Sequence, residues 1–317
     1  MENYNLKKGV IFASITIFTI GLQPVISNAR PSIIDPYLFG AITAIIEALI
    51  FFPIFILERR KLKKELTKSS EVQERNYSLL NGWKKRVNIK VLIIIGLSFS
   101  AVPILLYIGY ELAGAIISSL TLKSEIIFAL IFGFFLLKEK INKKQIAFCF
   151  LLFFGLIVAI TGGSFNLLEF NLGVIILLLS VILFTFVHTI TKISFERNEL
   201  FPSQVVFIRN FISGILLTII YFLVCPLENI FIVINPINFI FFLIMGLDYG
   251  ISLFLWYKTL TYIQIGKAAI IISLTPIVSS FFSFLFLGEL FTIYHLIGNI
   301  IIILSICMIM KEKNKVE

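Results

Sequence analysis

Ten apolar runs, separated by gaps whose positive charge alternates, limit what this 317-residue chain can become. Of its 27 Lys and Arg residues, 24 lie before the first run, in or beside the even-numbered gaps, or after the last run. Lys7 and Lys8 precede the first run, eleven basic residues lie from Arg59 to Lys90, and Lys138, Lys140, Lys143 and Lys144 fill the fourth gap. Lys192 and Arg197 lie in the sixth, Lys258 and Lys267 at the eighth, and Lys311, Lys313 and Lys315 close the chain. Only Arg30 occupies an odd-numbered gap, while Lys123 and Arg209 fall inside runs. Lys and Arg bias short loops toward the cytoplasm, so the alternation predicts ten spans with both termini inside.

The runs, roughly 9–27, 37–57, 90–108, 112–137, 143–161, 171–191, 204–224, 238–258, 266–287 and 292–310, are apolar on all sides. That length crosses a hydrocarbon core of about 30 Å, and an amphipathic soluble helix would show a polar face. Backbone groups in lipid are satisfied within a helix or a closed barrel, and the alternating pattern of a barrel is missing. The expected class is therefore an all-α integral membrane protein, multi-pass in the cell membrane. Its net charge of +9 reads as topology, and the long basic loop also feels the anionic inner leaflet; no nucleic-acid partner is implied. Cys149, Cys225 and Cys307 are widely separated and read as packing residues, with no metal-ligand spacing. Lys7-Lys8, the apolar run and Ser27-Asn28-Ala29 have the look of a signal peptide; cleavage would break the count of ten, so an uncleaved first helix is expected.

The segment 58–87 is rich in Lys, Glu, Ser, Gln and Asn and reads as a solvated linker, partly helical or disordered, more a tether than a docking arm. Beyond it, a shift of 150 residues places Asn88–Glu139 on Asn238–Glu289 without a gap. Gly96-Leu97 meets Gly246-Leu247, Tyr107 meets Tyr257, Phe132 meets Phe282 and Glu139 meets Glu289. After an indel, Gly9-Val10-Ile11 falls on Gly173-Val174-Ile175. Two halves of five helices each, residues 1–161 (with the linker) and 162–317, must then enter from opposite faces, which makes them inverted repeats. Such repeats are common in secondary transporters, with the substrate site near mid-membrane.

A charge deep in a span costs about 2.5–3.5 kcal/mol on insertion scales and marks function by default. Counting residues puts Glu47, Lys123, Glu125 and Asp248 near mid-depth, three acids against one base. A spare acid in a low-dielectric site is readily protonated, which suits proton coupling or recognition of a cationic group; alternatively these groups pair and pin helices together. Lys123 reads first as the counter-charge, although gripping a substrate carboxylate is equally open. Arg209 is expected to snorkel to the interface rather than bind an anion. Gln23 and His188 fall near one another when the halves are aligned, which makes helices 1 and 6 candidate cavity walls; His188 itself reads as a packing group. Pro276 removes an amide donor from the ninth helix and should kink it, freeing a carbonyl beside Ser273 and Thr275. Asn142 with Gln145, and Thr292 with His295, look like helix starts, which assigns Glu139 and Glu289 to loop capping. No nucleophile elbow, phosphate-cradling loop or His-Glu-x-x-His motif occurs, so neither an enzyme nor a cofactor is expected.

Several stretches are similar to EamA-type members of the drug/metabolite transporter superfamily. They are Gly266-Lys267-Ala268-Ala269, Leu274-Thr275-Pro276, Phe286-Leu287-Gly288-Glu289-Leu290 and Gly298, with Leu122-Lys123-Ser124-Glu125, Leu136-Leu137-Lys138-Glu139-Lys140 and Gly155 in the first half. The resemblance implies a ten-helix permease for amino acids or other small metabolites, driven by protons or by exchange. Ile126 stands where the family has a proline, which leaves a break in the fourth helix without its usual cause. The partners expected are a small-molecule substrate and the bilayer, with a homodimer left open. An antiporter of phosphorylated sugars or nucleotide sugars, needing several basic groups in its cavity, and a non-transporting scaffold or sensor are the alternatives.

Overall fold

A computed structural model describes residues 6–65, 70–165, 171–262 and 270–313. Among them every regular element is helical, and ten helices are long and apolar enough to span a bilayer. In chain order the helices are α1 (Leu6–Ala29), α2 (Pro36–Glu65), α3 (Ser70–Asn81), α4 (Arg86–Ala113), α5 (Ala115–Thr121) and α6 (Glu125–Leu137). They continue with α7 (Lys143–Ile160), α8 (Leu172–Glu196), α9 (Pro202–Val224), α10 (Pro236–Tyr262), α11 (Thr275–Leu287) and α12 (Ile293–Lys313). Three spans begin on proline, where the missing N–H costs nothing because the first amides of a helix have no partner within it. At Pro36 and Pro236 the preceding side chain supplies the cap. Asp35 Oδ1 accepts from the amides of Tyr37 and Leu38, and Asn235 Oδ1 from that of Ile237.

The chain packs as two compact units. One comprises Met1–Arg30, Leu105–Thr185 and Ile251–Glu317; the other comprises Pro31–Ile104 and Phe186–Gly250. Helices α4, α8 and α10 each contribute a part to both. In the first unit α7 and α12 form the most extensive helix pair; Gly155 and Gly298 face each other there, so that a Cβ on either would lie within 3.0 Å of the other's carbonyl oxygen. In the second unit α2 and α9 are the corresponding pair, with Gly214 against Ala44 and Ile45. Close backbone approach through small residues supplies the dispersion contact that drives helix association in lipid.

The fold is that of two inverted five-helix repeats, and paired local geometry makes the relation concrete. Asn88 Nδ2 donates to the Gly82 carbonyl six residues upstream at 2.9 Å, and Asn238 Nδ2 to that of Ile232, also six upstream, at 3.0 Å. Residues 131–140 and 281–290 show the same succession of buried, half-buried and exposed positions. Both stretches end a helix on a left-handed residue, Lys138 (φ 57°) and Gly288 (φ 69°), with Glu139 N bonded to Gly133 O and Glu289 N to Ser283 O. The next helices open on reciprocal caps, Asn142 with Gln145 and Thr292 with His295.

Two expectations change. The linker is partly helical as expected, with α2 running on through Arg59–Glu65 and α3 following, but it is not wholly solvated, because Leu80 and Gly82 are buried. Gly82 lies so close to the Glu199 backbone that a Cβ would sit 2.4 Å from its carbonyl oxygen. The fourth span does break, without the proline. A 3-10 turn over Leu122–Ser124 separates α5 from α6, at positions that the 150-residue shift places on Ile272–Leu274, where the ninth span turns before α11.

Candidate functional site

The second unit holds a closed cluster of buried polar groups. Glu47 on α2 accepts from Asn210 Nδ2 at 2.7 Å and from the Arg209 guanidinium at 3.3 Å, and Arg209 Nε donates to Asn210 Oδ1 at 3.1 Å. Arg209 is 2% exposed, which overturns the expectation that it snorkels. Its guanidinium carbon lies 4.1 Å from the Phe99 ring centroid and 5.6 Å from that of Tyr249. A planar, weakly hydrated cation suits such a slot between aromatic faces. His188 stacks on the same Phe99 at a centroid separation of 6.2 Å, as a packing group should. Asp248 is buried on α10, but Gly246 and Gly250, two residues either side, are the positions that meet α2. At about 100° per residue Asp248 therefore occupies the opposite side of α10 from Glu47's helix.

At one end of this unit Asn88, Ser194 and Glu199 form a second cluster. Asn88 donates to Glu199 at 2.8 Å and accepts from Ser194 Oγ at 2.8 Å, while Lys85 pairs with Glu199. These contacts hold the Glu199 carboxyl below its ordinary pKa, with the hydrogen bond from Lys85 the main cause.

The first unit contains the two interrupted spans. Pro276 carries no amide hydrogen, so the Ile272 carbonyl four residues earlier loses its usual helical donor. Two side chains replace it: Lys123 Nζ donates to Ile272 O at 3.2 Å, and Thr275 Oγ1 donates to the same oxygen. Lys123 is buried, and Glu125, half-buried two residues on, begins α6 and attracts it by charge. Gln23 on α1 donates to Ser252 Oγ at 2.9 Å, deep in the same unit. Gly21 makes the α1–α11 contact close, since a Cβ there would lie 3.0 Å from Val278 Cγ1 and 3.3 Å from the Ser279 amide nitrogen. Of the eight positions singled out in the sequence, this unit brings together Lys123, Glu125, Thr275 and Pro276, and it also holds Gln23. Glu47, Asp248 and His188 belong to the other unit. The motif 266–269, with Lys267, lies outside the described residues.

Glu289 is a cap, as its place in the sequence suggested, but for a distant helix. Its carboxylate accepts from the first two amides of α5, Ala115 N at 2.8 Å and Ile116 N at 3.0 Å. Gly114 enters that helix with φ 78° and lies against the same carboxylate. Arg30, the one basic residue in an odd gap, is neutralised by Glu111 at 2.6 Å and by the Ser27 carbonyl.

The EamA-like transporter family matches residues 7–161 and again 171–311. The chain belongs to the EamA-like transporter family. An uncharacterized transporter of Methanothermobacter thermautotrophicus (strain ATCC 29096 / DSM 1053 / JCM 10044 / NBRC 100330 / Delta H) is 23% identical over 304 residues, covering 92% of this chain and 82% of the relative. A protein of known crystal structure superposes with a TM-score of 0.65 at 12% identity, over 98% of this chain and 99% of that one, which bears on the fold alone. This EamA-like chain is thus a multi-pass membrane protein with a transporter's fold. Among its described residues no group of three His, Cys, Asp or Glu side chains is placed to hold a metal.

Sequence reasoning missed Asn210, Phe99 and Tyr249 as the setting of Arg209, and Glu111 and Glu199 as partners of Arg30 and Lys85. The adjacent polar pair Arg209-Asn210 within an apolar run was the available signal.

Proposed function

We propose that this protein is a secondary active transporter of a small organic metabolite, amino-acid-like in its charged groups, coupled to protons or to exchange. The observation that carries the reading is the pair of matched interruptions in the fourth and ninth spans, with Lys123 bonded to the carbonyl that Pro276 frees. Interrupted helices expose backbone carbonyls and amides at depths where only a polar cargo or a neighbouring side chain can meet them. Glu125 and Asp248 are the acids proposed to answer to protons or to a cationic group, with Gln23, Thr275 and His188 as wall residues of their own units. Glu47 is proposed as a structural partner of Arg209. That pairing weighs against an antiporter of phosphorylated sugars, because Arg209, like the buried Arg30, is already matched by a carboxylate, and Lys123 is the remaining buried basic group among the described residues.

The test is flux into proteoliposomes. Vesicles holding the purified protein, offered a radiolabelled amino-acid mixture with and without an imposed pH gradient, should accumulate label above protein-free vesicles. Glu125→Gln should abolish the response to the gradient. Flux indistinguishable from empty vesicles under both conditions would count against an amino-acid-like cargo, and the same result with organic acids and amines would count against the whole class.

A further inference from the structure

Lys123 differs from the buried arginines Arg30 and Arg209 in what it meets. Arg209 faces a carboxylate; Lys123 faces a neutral backbone oxygen that a second donor, the Thr275 hydroxyl, already serves. An ammonium in that position acts as a tethered monovalent cation, seated on a carbonyl exposed by an interrupted helix, where transporters of other designs seat a free ion. The hydrogen bond depends on charge, since a charge-assisted bond is roughly twice as strong as a neutral one. It is also dispensable to the carbonyl, because Thr275 keeps that oxygen satisfied when the lysine departs.

We propose that Lys123 is a proton-operated clasp between the fourth and ninth spans. When protonated it ties the 3-10 turn at Leu122–Ser124 to the turn ahead of α11. On losing one proton to water, the Nζ–H₃⁺ becomes a neutral amine, the bond to Ile272 weakens and the two turns separate. Retaking the proton from water restores the clasp, so one positive charge is gained and lost per cycle. The clasp stands on the geometry of these residues; its use in coupling rests on the transporter reading above.

Among the described residues, the groups that face Lys123 leave few competing titrations. Glu125, at the start of α6, is the acid that acts on it by charge. The elements packed against α5 are α1, α7 and α11. In α11 no side chain titrates; α1 carries only Lys7 and Lys8 in its first turn; α7 carries Lys143 and Lys144 in its first turn, then Cys149. Glu289 is engaged with the α5 amides.

Hydrogen–deuterium exchange of the purified protein in nanodiscs, at pH 6 and pH 9.5 and corrected for intrinsic rates, reads the clasp without any substrate. In the wild type the amides of Ser273, Leu274, Thr275, Ile277 and Val278 should exchange about fivefold faster at the higher pH, as expected for loss of charge assistance from one hydrogen bond. Lys123→Met should exchange fast at both pH values. Lys123→Arg, whose charge does not titrate, should stay slow at both. Equal protection in wild type and Lys123→Met, or a Lys123→Arg profile that follows the wild type, overturns the proposal. In the proteoliposomes described above, Lys123→Arg should flatten the alkaline limb of amino-acid uptake. If no amino acid is carried, the amino-acid-like cargo fails while the clasp is still decided by the exchange data.

Discussion

Two of the buried cations of this protein, Arg209 and Lys123, show how differently one charge can be accommodated. Arg209 is closely matched: Glu47 answers its charge, Asn210 accepts from its Nε, and the Phe99 and Tyr249 rings lie against the guanidinium. Lys123 meets a backbone carbonyl for which Thr275 competes. A cation matched by an acid and clad in aromatic rings is locked in place. One resting on a shared neutral acceptor can be exchanged for something else. The first arrangement suits a joint between helices; the second suits a position that must change during a cycle.

The sharpest way to break this contrast is to remove one member of the closed pair. Arg209→Met leaves Glu47 buried and uncompensated, and should cost roughly 3–5 kcal/mol in thermal unfolding of the detergent-purified protein. The double variant Glu47→Leu/Arg209→Met should recover most of that loss; equal destabilisation of single and double variants would mean that the pair is not the joint described. Next in size is Asn88→Ala, which strands Ser194 and the Gly82 carbonyl and removes one of the two donors to the Glu199 carboxylate, at a cost of about 2 kcal/mol. Its repeat mate Asn238→Ala releases the Ile232 carbonyl and should cost about half as much, a ratio measurable by the same assay. Lys123→Met should cost only about 1 kcal/mol, because Thr275 still serves Ile272; a loss as large as that of Arg209→Met would erase the distinction between the two cations.

The smallest effect concerns pH. The Glu199 carboxyl is held below its ordinary value, so its contribution is complete above the unfolded pKa of about 4.3 and is lost as pH falls through the lower folded value. Lys85 is largely exposed, which limits the pair to under about 1 kcal/mol. Melting temperatures of the wild type should therefore converge on those of Lys85→Met as pH drops from 7 toward 3. A constant offset would show that Lys85 stabilises by packing alone.

Much of the fold was legible because its determinants are local or periodic. Span count followed from apolar run length, and the helix starts at Asn142 and Thr292 followed from residues three apart. The repeat was visible because Asn, Gly, Tyr and Glu recur at a fixed shift. The Pro276 break was legible from a missing N–H. The break at Leu122–Ser124 was not, since nothing in Leu-Lys-Ser forbids a helix and the turn is imposed by packing. The Glu47–Arg209 pair was hidden by a separation of 162 residues, which only the packing of α2 on α9 closes. The docking of Gly82 on Glu199 was hidden for a related reason: composition reports that a segment is polar, not that its last turn fits a particular backbone.

The carboxylate of Glu289 has a consequence for how the chain is made. It caps α5 across 174 residues, so the first amides of that helix are placed in the membrane long before their partner exists. At ordinary synthesis rates of about 5–20 residues per second the interval is roughly 10–30 s. For that time the fourth span has an open amide end, available to water, lipid headgroups or an insertion chaperone. The first half of the protein therefore reaches its final form only when nearly the whole second half has been translated. The cap on α5 is thus a bond that translation can complete only late.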